Sequence, residues 1–300
     1  MTTLKHTTVI LVLLMLTVLF PGKAQDADTT YWKKSTSLGL NFSQIKLHNW
    51  AGGGQSAISL SGISNTSLTY NRERVNWINT LDIGYGLVRL GGRDSEFRKS
   101  DDKIILTSKY SISKNPKLKY SALFDLRTQM APGYNYAQTT DGRDSVIYVS
   151  NFFAPAYTVF ALGATYSPHE SFYLFVSPLT NKNTIVADRV LSEQGAFGVD
   201  PGSRFRKELG AYLTAKYSDT IVKNVILKSD LNMFANYSNL ETIDISWETQ
   251  VIMKVNKYLS VNFVTQLIYD DDIDVTREDG TKGPALQVKE VLAVGLSFLF

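Results

Sequence analysis

Cysteine is absent from this 300-residue chain, and histidine is scarce, with three residues. The lack of cysteine excludes disulfide bonds, thiolate nucleophiles, cysteine-based metal sites and the lipid-bearing cysteine of a lipoprotein. An exported chain of this length without disulfides depends for its stability on the hydrogen-bonded secondary structure that it forms.

An excess of charge of one sign is also lacking. Lysine and arginine number 31 against 28 aspartates and glutamates, and two of the lysines, Lys5 and Lys23, lie within the first 24 residues. Without those two, 29 basic residues face 28 acidic ones, and the chain contains no polybasic run. Nucleic acid is therefore not expected as a partner.

Long hydrophobic runs are missing after residue 24, where no stretch approaches the ~20 apolar residues of a transmembrane helix. Before that point, Lys5 precedes an apolar segment, 9–20, and Gly22 and Ala24 provide the small residues of a cleavage site. This pattern is typical of a secretory signal peptide. The sequence predicts three segments: a cleaved signal peptide (1–24), a periplasmic leader (25–34) and an outer-membrane β-barrel (35–300).

The barrel prediction begins with the last stretch, 286–300, in which two kinds of side chain alternate. One face carries Leu292, Val294, Leu296, Phe298 and Phe300, whereas the other carries mostly small or polar residues. Alternation over this length, ending on an aromatic residue, is typical of the closing strand of an outer-membrane β-barrel. The final Phe also resembles the signal that the barrel-insertion machinery of bacteria recognises in its clients.

The same period of two recurs along the chain and predicts twelve strands. Their predicted bounds are 35–44, 56–71, 75–90, 103–114, 118–130, 153–166, 171–179, 206–218, 222–237, 242–256, 258–269 and 286–300. The even-to-odd connections are short and the odd-to-even ones include all the long loops, as periplasmic turns and outer loops do. We therefore predict an all-β fold, a transmembrane antiparallel up-and-down β-barrel of about 12 strands. A soluble β-sandwich is the alternative, but its strands average only five or six residues.

Six blocks stand out from this strand pattern. They are NWAGGG at 49–54, WINTLDIGYGLV at 77–88, the run 177–202, VNKYLS at 255–260, LIYDDDI at 267–273 and QVKEVLAVGLSFLF at 287–300. In combination they resemble a Bacteroidota-type family of outer-membrane barrels that is known only as a domain of unknown function. The resemblance implies an outer-membrane barrel and implies no activity, since it carries no catalytic or binding residues.

The sharpest charged feature is the acidic run that follows the eleventh predicted strand, Asp270 to Asp274. If that strand continues, Asp270, Asp272 and Asp274 project to one side with a spacing of roughly 7 Å between neighbours. Clustered carboxylates at an outer rim suit Ca²⁺, so these three residues are the candidate ligands of a calcium site. A solvated acidic loop without a metal is the alternative, since the spacing does not match an EF-hand loop.

The polar faces of the strands carry charged residues of both signs, which we predict to line the lumen. They are Asp82, Lys109, Asp125, Arg127, Lys216, Lys228, Asp230, Asp244, Glu248 and Lys254. They either pair across strands and fill the interior or line a narrow aqueous path. Mixed signs argue against a strongly ion-selective pore, which uses rings of one sign. The longest irregular stretch, 180–205, is long enough to fold inward as a constriction.

Glu290 is the exception to the pattern, because it falls on the predicted lipid-facing side of the closing strand. A charge there costs up to a few kcal/mol, depending on depth. Either Glu290 lies near the outer interface or a bulge shifts the register of the strand at this point.

Candidates for catalysis are few. His48 in the first outer loop and His169 in a periplasmic turn are the histidines that remain after signal cleavage. Neither belongs to a nucleophile elbow of the G-x-S-x-G type, and both are predicted to be solvated. We predict no catalytic and no cofactor-binding residues.

Two functional hypotheses follow, both for an outer-membrane protein of a Gram-negative bacterium. The first is a narrow pore or transporter for small solutes with 180–205 as its constriction. The second is a non-conducting structural or scaffold barrel that binds another envelope protein or lipid through its loops and rim. The expected partners are outer-membrane lipid and lipopolysaccharide, and the barrel-insertion machinery during biogenesis. An outer-membrane enzyme ranks third.

Overall fold

The long strands carry apolar side chains on one face and small or polar ones on the other, and the sheet that they form closes on itself. A computed structural model of the protein describes residues 31–46, 56–92, 95–138, 144–276 and 281–299. Within these residues, twelve long antiparallel strands form a closed barrel. The predicted all-β barrel of about 12 strands is confirmed.

The bounds of all strands and helices are as follows. The barrel strands are β1 (Trp32–Ile45), β2 (Ala57–Arg72), β3 (Val75–Leu90), β4 (Arg98–Ser113), β5 (Leu118–Thr128), β8 (Ala156–His169), β9 (Phe172–Ile185), β10 (Phe205–Val222), β11 (Val225–Asn236), β12 (Asn239–Lys254), β13 (Leu259–Tyr269) and β16 (Gln287–Leu299). Two separate hairpins pair β6 (Gly133–Gln138) with β7 (Asp144–Ser150), and β14 (Asp274–Thr276) with β15 (Lys282–Pro284). A short helix, α1 (Arg189–Glu193), and a 3₁₀ turn, Ala196–Gly198, lie between β9 and β10. No helix in the described ranges is long and apolar enough to cross a membrane.

Short turns join the strands at one end of the barrel, which we call the short-turn end. These turns are Glu73–Arg74, 114–117, Glu170–Ser171, Lys223–Asn224 and 255–258. The other end, the long-loop end, carries both hairpins and α1, with one short exception at Tyr237–Ser238. The connections are therefore sorted by length as predicted.

Register determines which side chains point inward, because directly paired residues share a face. Contacts between strands that are not neighbours identify the inner face. Lys182 Nζ on β9 lies 2.5 Å from Asp244 Oδ2 on β12, and Lys289 Nζ on β16 lies 2.7 Å from Asp101 Oδ1 on β4. The opposite face is the outer wall, where apolar side chains are exposed, among them Leu40, Leu60, Trp77, Tyr110, Phe160, Leu162, Leu209, Trp247 and Leu292.

The interior of the barrel is packed on one side only. Many inward side chains of β4, β5 and β8 to β10, and Phe234 on β11, are buried around a cluster formed by Leu123, Ala161, Phe175, Tyr212 and Phe234. Along β1 to β3, β12, β13 and β16, the inward residues seen to be buried are glycines and Ser260. We call the first side the packed half-lumen and the second the open half-lumen.

The first strand begins earlier than the sequence predicts. β1 starts at Trp32 rather than at residue 35, so residues 32–34 of the predicted leader pair with β2. The Trp32 ring lies 5.1 Å from that of Tyr70 and 5.7 Å from that of Trp77. These aromatic contacts explain the earlier start, since cross-strand aromatic pairs stabilise a sheet. The predicted signal peptide, 1–24, lies outside the described residues.

The segment 180–205 is less irregular than predicted, because β9 continues to Ile185. Pro178 lies where the register shifts, between the pairs Ser177–Tyr212 and Thr180–Gly210. At such a bulge a proline does not remove a ladder hydrogen bond. The strand then continues through residues 180–184, which are all polar. They show no alternation of apolar and polar side chains, so the sequence does not predict a strand there.

Glu290 lies on the outer wall and is exposed, and it pairs with Thr265. The ladder between β13 and β16 contains no register shift, so the bulge alternative is wrong. Thr249 and Ser229 continue the same row on β12 and β11. The neighbours of Glu290 along this row are therefore polar.

Candidate functional site

Four carboxylates and two cations meet inside the barrel at the long-loop end. We call this group the mouth cluster, and its members are Lys182, Arg206, Glu208, Asp244, Asp270 and Asp272. Strand β9 contributes one of them, β10 two and β12 one, and the last two follow the end of β13. All six groups therefore depend on the closed barrel for their positions.

Lys182 is the centre of the mouth cluster. Its Nζ lies 2.5 Å from Asp244 Oδ2, 3.7 Å from Glu208 Oε2 and 3.8 Å from Asp270 Oδ2. The ammonium group also lies 5.2 Å from the ring centroid of Phe234. A buried cation is tolerated when several carboxylates surround it, as they do here.

Arg206 links the cluster to the segment above it. Its guanidinium lies 2.7 Å from Asp272 Oδ2 and 3.1 Å from Glu208 Oε1. The same guanidinium donates a hydrogen bond of 3.3 Å to the carbonyl of Gly198. Glu208 is buried and also accepts a hydrogen bond of 3.0 Å from Asn236.

The predicted calcium ligands are arranged differently from the expectation. The chain turns after Tyr269, and the amide of Asp272 donates to Asp270 Oδ1 at 2.9 Å, so no strand continues through the acidic run. Asp244 joins Asp270 and Asp272, with a carboxylate oxygen from each within 4.8 Å of the others. The side chain of Asp274 lies outside the described residues.

Protein cations already neutralise these carboxylates in part, since Lys182 and Arg206 lie among them. The donor set therefore fits an internal ion-pair network better than a calcium site, which needs six to eight oxygen ligands. Burial raises the pKa of the Asp270 carboxyl above its ordinary value; Lys182 opposes this rise, and Asp244 adds to it.

Residues 186–204, which we call the lid, lie against the mouth cluster through Gly198. Val186, Leu191 and Val199 are buried in the lid around Ala154, with Tyr148 packed beside them. This small apolar core gives the lid its own stabilising contacts, because burial of such side chains is favourable. The predicted constriction thus corresponds to a folded element rather than to an open loop.

Asp188 joins the lid to the β6–β7 hairpin. Its carboxylate caps α1 by accepting from the amides of Val190 and Leu191, and it accepts from the Tyr148 hydroxyl at 2.8 Å. Burial alone would raise the pKa of Asp188, but these hydrogen bonds outweigh it and lower the pKa. Burial, followed by the hydrogen bond to Asp188, raises the pKa of Tyr148 to about 12.

A second polar network fills the packed half-lumen below the mouth cluster. Asp125 accepts from Arg127 at 2.7 Å and from Thr107 at 2.6 Å. Further across the lumen, the Lys109 ammonium lies 3.6 Å from the ring centroid of Tyr173. Lys216 pairs with Asp230, and Tyr212 donates to Asn232 at 2.6 Å. Contacts of this kind satisfy buried polar groups, so this half is a packed wall rather than a channel.

The structure places all ten predicted lumen residues on the inward face. The packed network contains Lys109, Asp125, Arg127, Lys216 and Asp230, and the mouth cluster contains Asp244. Glu248 lies opposite Asp230, and Asp82 accepts a hydrogen bond of 2.7 Å from Asn65. The remaining two, Lys228 and Lys254, are exposed near the short-turn end. Six of the ten therefore lie in the packed half-lumen, on β4, β5, β10 and β11, and the other four lie on β3 and β12.

The open half-lumen has a different lining. Along β1 and β2 the inward positions carry mostly serine, asparagine, threonine and glycine, such as Asn41 and Ser61, which are joined by a hydrogen bond of 3.2 Å. Lys33 is the one charged residue among the inward positions of these two strands. Apart from Lys33, this wall of β1 and β2 is uncharged, polar and accessible.

Sequence reasoning missed Lys182, Arg206 and Glu208, because they lie in or beside the stretch predicted to be irregular. One signal was available for Asp244. Extending the β12–β13 ladder by one pair beyond Ile245–Tyr269 places Asp244 directly opposite Asp270. His48 lies outside the described residues, and His169 is exposed at the short-turn end, away from the mouth cluster.

Comparison with known proteins gives a partial family match. A family model described as a protein of unknown function, DUF3078, matches residues 42–134. That range contains two of the blocks that carry the resemblance, 49–54 and 77–88, and the other four lie beyond it. No match was found among the curated proteins.

Several solved structures have a similar chain trace. The translocator domain of autotransporter NalP from Neisseria meningitidis is 12% identical, with a TM-score of 0.39, over 92% of this chain and 90% of that chain. OmpT, an outer membrane protein of Vibrio cholerae, is 9% identical, with a TM-score of 0.30, over 93% and 100%. OmpF of Salmonella typhi is 9% identical, with a TM-score of 0.31, over 90% and 97%. Likenesses this distant carry no argument about activity.

Proposed function

We propose that this protein is an outer-membrane barrel of a Gram-negative bacterium, exported with a cleaved signal peptide, that forms a narrow pore for small polar solutes. The exposed apolar side chains of the outer wall, such as Leu40, Leu60 and Phe160, support the membrane location, because lipid covers such a wall in a membrane barrel. In that orientation the short-turn end faces the periplasm.

The observation that carries the pore is the one-sided packing of the lumen. The open half-lumen offers hydroxyl and amide groups that replace the hydrogen bonds of a solute with water. Its lack of charged rings favours uncharged solutes, since ion selectivity uses rings of one sign. The lid forms the constriction at the long-loop end, where Arg206 joins it to the mouth cluster.

Recording from planar bilayers tests this function. We expect the purified barrel to give small single-channel steps with little preference between K⁺ and Cl⁻. Replacing residues 189–203 by a short Gly-Ser linker should increase the step size, because it removes the constriction. The variant Arg189→Ala/Glu193→Ala, which removes only an exposed ion pair on α1, is the control and should leave the steps unchanged. Silence of both the intact and the lid-replaced barrel contradicts the pore.

A non-conducting scaffold barrel is the second candidate, and the packed half-lumen with its ion-pair networks favours it. Such a barrel stays silent with and without the lid, and an envelope protein or lipid co-purifies with its loops and rim. The membrane location has a separate test. Recovery of the protein in the soluble periplasm, without heat-modifiable migration on gels, contradicts both candidates.

A further inference from the structure

The seam between the first and last barrel strands is shorter than the other barrel ladders. β1 and β16 pair at five positions, from Ser37–Leu299 to Asn41–Gly295. By contrast, β1 pairs with β2 at fourteen positions and β16 pairs with β13 at ten. The pairing therefore stops part-way along the wall, on the side of the long-loop end.

Beyond the seam the two strands face each other without a ladder. The same register, if continued, would set Phe42 against Val294 and Ile45 against Val291. Ile45 and Val291 are inward positions, yet their exposed fractions are 55% and 38%. We call the four facing positions on each strand, 42–45 and 291–294, the seam wedge; they pair with β2 and β13 but not with each other. The wedge is accessible from the lumen and from outside.

The wedge begins directly after a close backbone contact. A Cβ atom on Gly295 would lie 2.1 Å from Asn41 Oδ1 and 2.7 Å from the carbonyl oxygen of Leu40. Only glycine permits this approach without displacement of β1. The paired part of the seam is therefore tight, and the separation of the strands starts at a defined position.

Unpaired backbone groups cannot be left in hydrocarbon, where each one costs several kcal/mol. They are tolerated where they line a water-filled cavity, and the seam wedge adjoins the open half-lumen. Water in the lumen thus satisfies the strand edges from inside, while apolar side chains face lipid from outside. The wedge is a place where water and lipid meet within the wall.

Six of the eight wedge side chains are apolar, and Ser43 and Gln44 are the exceptions. Phe42, Leu292 and Val294 lie on the outer side, and Ile45 and Val291 on the inner side. This differs from the serine and asparagine lining deeper in the open half-lumen.

We propose that the seam wedge is a lateral portal through which a molecule with a polar head and a fatty acyl chain passes between the open half-lumen and the outer leaflet. The head travels along the polar wall of β1 and β2, and the acyl chain leaves between Phe42 and Val294. This proposal deepens the pore function and rests on the membrane location and the open half-lumen proposed above.

Cysteine cross-linking tests the opening, and the chain has no native cysteine to interfere. Ser43→Cys/Ala293→Cys joins two small inward residues that would be neighbours only in a closed wedge. Leu40→Cys/Leu296→Cys, within the paired seam, is the matched control. Paired residues lie within the range of a disulfide, so we expect near-complete cross-linking of the control and a several-fold lower yield for the wedge pair. Equal yields overturn the open wedge.

Lipid access is tested with a bimane label on single-cysteine variants in phosphatidylcholine vesicles that contain a doxyl-labelled acyl chain. We expect the label at Val291→Cys, on the inner face, to be quenched at least half as strongly as at the outward Leu292→Cys. Thr80→Cys is the control and should be quenched weakly, because it is inward on β3 and its row meets β1 at Ser35, seven residues before the wedge. Quenching at Val291→Cys no stronger than at this control overturns the portal.

These measurements do not depend on conductance. A silent barrel whose Val291→Cys label is quenched by the acyl probe would contradict the pore and retain the lateral portal. A conducting barrel with a fully cross-linked wedge would support the pore and contradict the lateral portal. In both cases heat-modifiable migration confirms that the variants are folded.

Discussion

Replacement of Lys182 by methionine tests whether the mouth cluster stabilises the barrel. The side chain of Lys182 is 11% exposed and that of its partner Glu208 is 4% exposed. Methionine keeps most of the length of the side chain and removes the charge. The variant Lys182→Met leaves Glu208, Asp244 and Asp270 close together without their shared cation.

Removal of one partner from a buried ion pair costs about 3–5 kcal/mol. Because Arg206 still pairs with Glu208, the lower end applies, about 3 kcal/mol, which is roughly a hundredfold in the unfolding equilibrium. The assay is a urea titration in detergent micelles, with the folded fraction read from heat-modifiable migration. We expect a clearly lower midpoint for Lys182→Met than for the unchanged protein.

Two further variants make the reasoning refutable. Arg189→Ala removes an ion pair whose side chains are 78% and 55% exposed, and such pairs contribute about 0–1 kcal/mol. Lys182→Met/Asp244→Asn removes one of the uncompensated charges and should recover part of the lost stability. A midpoint for Lys182→Met equal to that of Arg189→Ala, or strict additivity in the double variant, would refute the account.

Three more predictions concern the seam and the lid. Gly295→Ala should reduce the folded fraction of refolded barrel at a cost of about 1–3 kcal/mol, because its Cβ would clash with Asn41; Gly92→Ala, with open space around its Cβ, should not. Asp188→Ala should loosen the lid by about 1 kcal/mol through loss of the helix cap, measured as faster proteolysis at Arg189, while Glu193→Ala should have little effect. The link between Asp188 and Tyr148 should also depend on pH. At acid pH the hydrogen bond is lost as the pH falls through the lowered pKa of Asp188. At alkaline pH its full contribution is present below the usual tyrosine pKa of 10.0 and is lost as the pH rises from there toward the raised Tyr148 pKa of about 12. Bimane fluorescence of Val190→Cys reports this change, and the alkaline step should be absent in Tyr148→Phe.

The architecture is largely readable from the sequence because the strands carry one apolar face each, as the strands of a lipid-embedded barrel do. The predicted third strand, 75–90, agrees with β3 at both ends. Along β12, Ile243, Ile245 and Trp247 alternate with polar residues, which the period-two reading detects. Connection lengths add independent support, since they depend on topology rather than on hydrophobicity.

The mouth cluster was not predictable in the same way. The extension of β9 consists of polar residues on both faces, so Lys182 carries no strand signal of its own. The sequence predicts that the strand continues through the acidic run. In the structure the chain turns there, and the Asp272 amide donates a hydrogen bond to Asp270. The register of the β12–β13 ladder places Asp244 beside Asp270. A hydrophobic pattern along the chain does not reveal this register until the turn at 255–258 is located.

The five-pair seam also has a consequence for the order in which the protein assembles. Its paired residues are 254 to 262 positions apart in the chain, whereas each of the other ladders joins two successive barrel strands, with at most one small hairpin between them. Loop-closure entropy makes such distant contacts slow to form, and five pairs offer little stabilisation in return. We therefore expect hairpins β2–β3 and β10–β11 to form early and the meeting of β1 with β16 to be the last and rate-limiting event. Until then the edge of β1 remains free, and the barrel can close only when both β1 and β16 are in place.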